Sequence, residues 1–119
     1  MKLLKAFVRN RRVDEVIRAL RAARAPGVTV SRVHGVGYGY DPMLFTLSPS
    51  EINKAPQVAK VEVVCDDEDE IRLIAAITEA ARTGSQGDGI VFVTDVQRAL
   101  KIRTGEEDSQ ALKLPGGTA

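Results

Sequence analysis

The apolar residues change their spacing in the same order twice, and this repeat constrains the fold more than any other feature of the sequence. Residues 2–9 show the two-residue period of a strand, and residues 11–25 then switch to the spacing of an amphipathic helix. The Pro26-Gly27 pair ends that helix, and residues 28–33 indicate a second strand. The first part of the chain is therefore predicted to be β-α-β.

The same order returns in the second half of the chain. Residues 58–65 have strand periodicity, residues 71–82 have helical spacing and residues 90–94 indicate another strand. Residues 95–103 are predicted to form a short turn of helix that leads into a final short strand. The side chains predicted to face the core are Leu4, Ala6, Val8, Val13, Val16, Ile17, Leu20, Ala23, Ala59, Val61, Val63, Cys65, Ile71, Ile74, Ile77, Thr78 and Ala81.

Two β-α-β units joined by a long loop predict an α+β fold of the ferredoxin-like, split-βαβ type, with the order βαββαβ. In that fold the sheet is antiparallel and both helices lie on one face. The opposite face then carries Leu3 and Phe7, which are too apolar to remain in water. Burial against identical copies is the simplest solution, so a closed homo-oligomer is expected.

A single domain is predicted at residues 1–108, because 119 residues provide one core and not two. Residues 36–57 have no consistent period and contain three prolines, which predicts a flexible, functional loop. Within it, residues 43–45 either become ordered on a partner or pack on a neighbouring subunit. Residues 109–119 are predicted to form a mobile tail.

The bulk composition argues against several classes of protein. A formal net charge of +1 does not suit a dedicated nucleic-acid binder, which needs a concentrated basic surface. No apolar run approaches the roughly 20 residues that span a bilayer, so direct membrane insertion is not expected. The N-terminal segment lacks a cleavage site, and the single Cys65 cannot form an internal disulfide. A cytoplasmic protein is therefore predicted.

The acidic run at residues 66–70 could be taken for a metal site, but its position favours a simpler interpretation. It lies where a helix is predicted to begin, and negative charges are stabilising at the positive end of the helix dipole. Asp67 is predicted to be the N-cap, with Glu70 completing a capping box. No metal site is predicted.

The sequence contains few residues that could carry catalysis. His34 stands beside no Ser or Cys nucleophile, and one His with one Cys cannot build a zinc site. No catalytic triad, metalloprotease helix or Walker loop is present, so no catalytic residues are predicted. Three segments could hold an anion through amides or cations: residues 35–39, residues 87–89, and the pair Lys101 and Arg103 on one predicted strand face. Each also has a structural interpretation, as a loop entry, a tight turn or a surface strand.

A longer pattern resembles the PII family of signal-transduction proteins. The resemblance covers nearly the whole chain except the long loop and the tail. It is carried by Asp14-Glu15-Val16, Ala19-Leu20, Gly27-Val28-Thr29-Val30, Gly35-Val36-Gly37, Thr83-Gly84, Gly87-Asp88-Gly89, Val91-Phe92-Val93, Arg98 and Ile102-Arg103-Thr104-Gly105-Glu106-Glu107-Asp108.

This resemblance implies a non-enzymatic homotrimer that senses ADP, AMP or ATP in clefts between its subunits. It puts the adenine near Thr29, Glu62 and Val64. It puts the segment Gly35-Val36-Gly37, at the base of the long loop, near the ribose and phosphates. The residues implied on the phosphate side, across the interface, are Gly87, Asp88, Gly89, Lys101 and Arg103.

The chain departs from the family pattern at four functional places. Conventional members carry a Gln at the place of Gly39, a Lys within residues 57–59 and a Lys at the place of Ile90, and many carry a modified Tyr at the place of Glu51. The first two groups serve 2-oxoglutarate and the third serves the terminal phosphates. With those groups absent, ADP or AMP is expected to be favoured over ATP with 2-oxoglutarate, because fewer phosphates need fewer cations.

The same losses resemble a carboxysome-associated PII-like branch that is linked to inorganic carbon. Bicarbonate is then an expected second ligand, near Lys60, Lys101 or Arg103. An unidentified protein or transporter in carbon metabolism would be the partner, engaged through residues 36–57. The alternative is a conventional nitrogen regulator that senses ATP or ADP with 2-oxoglutarate and acts on an ammonium transporter or a nitrogen enzyme. A nucleotide-hydrolysing enzyme and a metal-tolerance protein are further alternatives, against which the missing base and soft ligands count.

Overall fold

The computed structural model describes residues 1–35 and 57–113. Within these ranges the predicted order βαββαβ and the α+β ferredoxin-like fold are confirmed, and no helix has the length and apolarity to cross a membrane. The elements are β1 (Lys2–Arg9), a 3-10 helix (Asn10–Arg12), α1 (Val13–Ala22), β2 (Thr29–His34), β3 (Gln57–Cys65), a 3-10 helix (Asp67–Asp69), α2 (Glu70–Ala81), β4 (Gly89–Asp95) and a 3-10 helix (Asp108–Leu112).

The four strands form one antiparallel sheet in the order β2-β3-β1-β4. β1 is central, and Leu4 lies opposite Val63 on one side and Val93 on the other. His34, the last residue of β2, pairs with Gln57, the first residue of β3. The chain therefore leaves β2 and enters β3 at the same end of the sheet.

One hydrophobic core lies between the sheet and the two helices. Alternate residues of β1 and β3 face it, because successive side chains of a strand point to opposite faces. Burial is confirmed for Leu4, Ala6, Val8, Val13, Val16, Leu20, Ala59, Val61, Val63, Cys65, Ile77 and Ala81, and partial burial is found for Ile17, Ala23 and Ile74.

The predicted buried stripe of α2 is wrong at two positions. Ile71 is 81% exposed and Thr78 is also exposed, whereas Leu73 is fully buried. The helix begins at Glu70 after a 3-10 turn, and its inward face follows the four-residue steps from Leu73 to Ile77 and Ala81. Ile71 lies in the first turn, half a turn away from that face.

The predicted capping box at the start of α2 is also wrong. The N-cap of the helix is Asp69, and neither Asp69 nor Asp66 makes a side-chain capping bond. The acidic side chains have other partners instead: Asp67 pairs with the amino group of Met1 at 2.9 Å, and Asp66 accepts a hydrogen bond from Ser109 at 2.6 Å. The charges still lie near the positive end of the helix dipole.

Two arginines tie the helix pair together at opposite ends. Arg12, just before α1, donates to the carbonyl of Ala80 through Nε and Nη2, at 3.0 and 2.7 Å. Arg72, in the first turn of α2, donates to the carbonyl of Ala23 at 3.0 Å. Each helix thus supplies a cation to the carboxyl end of the other, where carbonyls lack intrahelical donors.

The helical turn and the final strand predicted for residues 95–103 are wrong. After β4 the chain runs to a single bridge between Leu100 and Glu107. The turn between them is closed by hydrogen bonds from the Gly105 amide to the Lys101 carbonyl and from the Lys101 amide to the Glu106 carbonyl, both 2.8 Å. Gly105 has a φ of 75°, a conformation that glycine adopts without strain.

The segment predicted to be a mobile tail begins in the 3-10 helix Asp108–Leu112. Asp108 fixes this helix to the preceding segment, because its amide donates to Ala99 and its carboxylate accepts from the Ala99 amide. Residues 114–119 and residues 36–56 of the predicted loop lie outside the described ranges, so mobility at both places stays a prediction. The predicted end of the loop at residue 57 is wrong, because Gln57 is the first residue of β3 and pairs with His34.

Candidate functional site

A cleft of about 600 Å³ collects four of the sequence-predicted ligand residues, namely Thr29, Glu62, Val64 and Lys101. The register of the sheet explains three of them. Thr29 of β2 pairs with Glu62 of β3, and Val64 follows on the same face. Lys101 reaches the cleft from the turn after β4. The structure therefore groups Lys101 with the adenine-side residues of its own copy, and not with residues 87–89.

Other residues complete the walls of this cleft. One wall is formed by the apolar side chain of Leu3 together with Pro26 and Gly27. The last wall is residues 111–113, at the end of the 3-10 helix Asp108–Leu112, which Ser109 holds against β3 through Asp66. Sequence reasoning missed this wall, because residues 109–119 have neither strand nor helical periodicity.

Two charged residues of the cleft, Lys101 and Glu62, are held by long ion pairs to residues outside it. Lys101 Nζ lies 3.8 Å from a Glu106 oxygen, and Lys60 Nζ lies 3.7 Å from a Glu62 oxygen. All four side chains are between a quarter and a half exposed. Exposed pairs of this kind contribute about 0–1 kcal/mol each, so an anion that enters the cleft can take Lys101 from Glu106 at little cost.

Residues 87–89 lie at the other end of the sheet. Gly89 pairs with Val8 of β1, whereas Val64 pairs with Leu3. Five residues of a strand separate these two places, which is about 17 Å. One small anion cannot contact both groups in one copy of the chain.

The glycines of this loop are required by the backbone. Gly89 has a φ of 115°, and a Cβ added there would lie 1.8 Å from the carbonyl oxygen of Phe7. Gly87 also has a positive φ, of 97°. The tight-turn interpretation therefore accounts for both glycines, and their contact with a ligand stays a prediction.

Asp88 is the centre of a dense hydrogen-bond cluster. Its Oδ2 accepts from the amides of Thr83 at 2.8 Å and Gly84 at 2.9 Å, and its Oδ1 accepts from the hydroxyl of Thr83. Arg9 Nε lies 3.4 Å from Oδ1. The Thr83 hydroxyl, followed by the Thr83 amide, holds the pKa of Asp88 well below its usual range, with smaller contributions from Gly84 and Arg9.

Arg9 also reaches the backbone of the same loop, because its Nη2 donates to the carbonyl of Gln86. Its role was missed by sequence reasoning: a charged residue at the end of a strand gives no sign of its tertiary partner. The cluster therefore fixes the loop that carries residues 87–89.

The remaining predicted residues are less clustered. Gly35 follows β2 at the same end of the sheet as Gly89, while Arg103 is exposed in the turn two residues after Lys101. Val36 and Gly37 lie outside the described residues. Lys60 lies opposite Phe7 and Ser31 in the sheet.

Comparison with known proteins gives a consistent result. The family model described as nitrogen regulatory protein P-II matches residues 1–106. The chain is 38% identical over 114 residues to the nitrogen regulatory protein P-II of Pasteurella multocida, covering 94% of this chain and all of that protein. The P-II protein of Azospirillum brasilense matches with the same identity and coverage, and nitrogen regulatory protein P-II 1 of Methanothermobacter thermautotrophicus is 37% identical over 118 residues, 94% of this chain and 97% of that protein. The chain therefore belongs to the P-II family of signal-transduction regulators.

Proposed function

We propose that the protein is a trimeric sensor of adenine nucleotides whose sites lie between subunits. One copy supplies the cleft with Thr29, Glu62, Val64 and Lys101, and the next supplies the loop at residues 87–89. The observation that carries this proposal is the separation of the two groups at opposite ends of one sheet. Because the groups lie about 17 Å apart in one copy, we expect a ligand that uses both to lie between two copies.

The face of the sheet opposite the helices supports assembly. Phe7 and Phe92 lie edge to face there, with ring centroids 6.2 Å apart, and Phe92 is still 36% exposed. Leu100 and Ile102, in the segment after β4, are 56% and 97% exposed. Covering this apolar surface with identical copies in a closed ring would remove it from water.

The lining of the cleft suits a nucleotide. Val64 and Leu3 offer apolar contact for a base, while Thr29 and Glu62 offer hydrogen-bonding groups at its edge. Lys101, beside them, offers a cation for a phosphate. P-II proteins are regulators and not enzymes, so the bound nucleotide is a signal and not a substrate.

ADP or AMP is the proposed signal. Bicarbonate is the proposed second ligand, near Lys60, Lys101 or Arg103. The proposed partner is a protein of carbon metabolism that is engaged through residues 36–57. One observation supports the loss of 2-oxoglutarate binding. Val58 and Ala59, in the segment where conventional members carry a Lys, are 4% and 0% exposed. A carboxylate ligand would therefore meet no cation from this segment.

A nitrogen regulator that binds ATP with 2-oxoglutarate is the second candidate. It is favoured by the names of the relatives, which are nitrogen regulatory proteins. Ile90 counts against it, since it lies in β4 opposite Phe7 and offers no charge beside residues 87–89.

Calorimetric titration of the purified protein with ATP, ADP and AMP, each with 2-oxoglutarate or bicarbonate, tests the proposal. Tight ADP or AMP binding that bicarbonate strengthens and 2-oxoglutarate leaves unchanged supports a carbon-linked sensor. ATP binding strengthened by 2-oxoglutarate supports the nitrogen regulator. The absence of binding by every nucleotide would overturn both.

A further inference from the structure

We propose that Arg9 and Asn10 couple the loop at residues 83–88 to Gln57, the residue at which the chain enters β3. In this role both are positioning residues. A change in the conformation of the loop at residues 83–88 is transmitted through them to Gln57, which follows the segment 36–56. The coupling itself does not depend on the proposed function. Only the identity of the ligand that moves the loop rests on it.

Arg9 holds the loop at two points. Its Nη2 donates to the Gln86 carbonyl and its Nε faces the Asp88 carboxylate at 3.4 Å, so it contacts both the backbone and the central side chain. The side chains of Arg9 and Asp88 are only 23% and 20% exposed. A change in the loop that moves Asp88 must therefore move the Arg9 guanidinium or break its contacts.

Asn10 holds the start of β3. Its Nδ2 donates to the Gln57 carbonyl at 3.1 Å, just beyond the last ladder pair of β1 and β3, between Arg9 and Val58. Asn10 is the first residue of a 3-10 turn, so this bond extends the attachment of β3 past the end of β1. Arg9 and Asn10 are consecutive at the end of β1, so a shift of the β1 backbone at Arg9 also moves Asn10.

The Asn10 amide uses its donor on Gln57, while its acceptor is left without a hydrogen bond in the described part of the chain. Its Oδ1 is buried and has no hydrogen-bond partner among the residues that the structure describes. A buried acceptor without a donor is unfavourable, so a rearrangement that gives Oδ1 a donor would recover part of that cost. A shift of the end of β1 at Arg9 would then alter the hydrogen bond from Asn10 to Gln57.

A cycle of variants tests the coupling without any ligand. Asp88→Asn loosens the loop by removing its charge, and Asn10→Asp keeps the shape of the side chain but removes the donor to Gln57. Hydrogen exchange is followed in the peptide that contains Gln57 and Val58. In the wild-type background, Asp88→Asn is expected to speed exchange there about threefold to tenfold.

In the Asn10→Asp background, Asp88→Asn is expected to add nothing at that peptide while still speeding exchange at residues 83–88. A role in stability alone would instead give additive effects, and additivity would overturn the inference. Arg11→Ala, an exposed neighbour, is the control and should leave the Asp88→Asn effect at Gln57 intact.

A second arm adds ADP to the wild-type protein and to Asn10→Asp. Slower exchange at residues 83–88 in both proteins, with a change at Gln57 in the wild type alone, supports the inference. The same change at Gln57 in both proteins overturns it. If ADP binds to neither protein, the arm is repeated with AMP and ATP; failure of all three overturns the proposed function, and the ligand-free cycle still decides the coupling.

Discussion

The two halves of the candidate site are built in opposite ways. The loop at residues 83–89 is fixed by hydrogen bonds that converge on Asp88 and by glycines that the backbone requires. In the cleft at the other end of the sheet, Lys101 and Glu62 are held by ion pairs of 3.8 and 3.7 Å. We infer that the loop is a rigid part of the site, whereas the cleft is adaptable and can release Lys101 to a ligand.

The largest expected effect concerns the fixed half. Gly89→Ala should destabilise folding by at least about 3 kcal/mol, because its Cβ would overlap the Phe7 carbonyl oxygen at a strongly positive φ. Gly105→Ala is the matched control: its φ is 75°, but no atom lies within 4 Å of the added Cβ, so it should cost about 1 kcal/mol. Urea unfolding measures both. Equal losses would show that the loop is no more constrained than an ordinary turn.

The next effect concerns the adaptable half. Lys101→Ala should weaken ADP binding about tenfold, or about 1.4 kcal/mol, while leaving the unfolding midpoint nearly unchanged. Arg103→Ala, which removes the second cation that the resemblance puts on the phosphate side, is expected to weaken binding by a similar factor. Calorimetry against Arg18→Ala, an exposed cation on α1, provides the comparison. Unchanged affinity for Lys101→Ala would remove the cleft from the site.

Asp88 should make the fixed half sensitive to acid. Because its pKa is lowered in the folded protein, the stabilisation by its charge is complete above the ordinary carboxyl pKa of about 3.9 and is lost as the pH falls through the folded value. The wild type should therefore be more stable than Asp88→Asn at pH 6, and the difference should shrink below about pH 4. Thermal unfolding of both proteins across this range measures it. A difference that is constant with pH would contradict the role assigned to the charge.

The smallest effect tests the exchange of partners at Lys101. Glu106→Gln removes the carboxylate that competes with a ligand phosphate, so ADP affinity should rise about twofold to threefold at low salt. The gain should vanish at high ionic strength, since exposed charges are screened. Titrations at two salt concentrations show this. A loss of affinity would mean that Glu106 positions Lys101 instead of competing for it.

Much of the fold could be predicted from the sequence, because the local spacing of apolar residues differs between strands and helices. The alternation in β1 and β3 predicted their buried faces, since half-buried strands must alternate. The predicted buried face of α2 was wrong at Ile71, because the helix begins after a 3-10 turn and its buried face starts at Leu73. The prediction for the segment after β4 was wrong because its turn is formed by backbone hydrogen bonds, which apolar spacing does not reveal.

The candidate site was less accessible to such reasoning. Its cleft residues were assigned by resemblance, and the strand register explains why they meet only once the sheet is known. Arg9 and Asn10 gave no signal, because their partners at Gln86 and Gln57 lie 77 and 47 residues away. Contacts across such separations follow from the assembled sheet and not from local sequence.

The most direct test of a site shared between copies is a mixed-variant experiment. Lys101→Glu damages the cleft and Asp88→Ala damages the loop, so each homogeneous protein should bind ADP poorly. Light scattering should first give about 39 kDa for the wild type, three copies of the 12.9 kDa chain. In trimers formed by co-expressing the two variants equally, about one quarter of the sites should pair an intact cleft with an intact loop and recover wild-type affinity. Mixed trimers that bind no better than the separate variants would contradict a site between subunits.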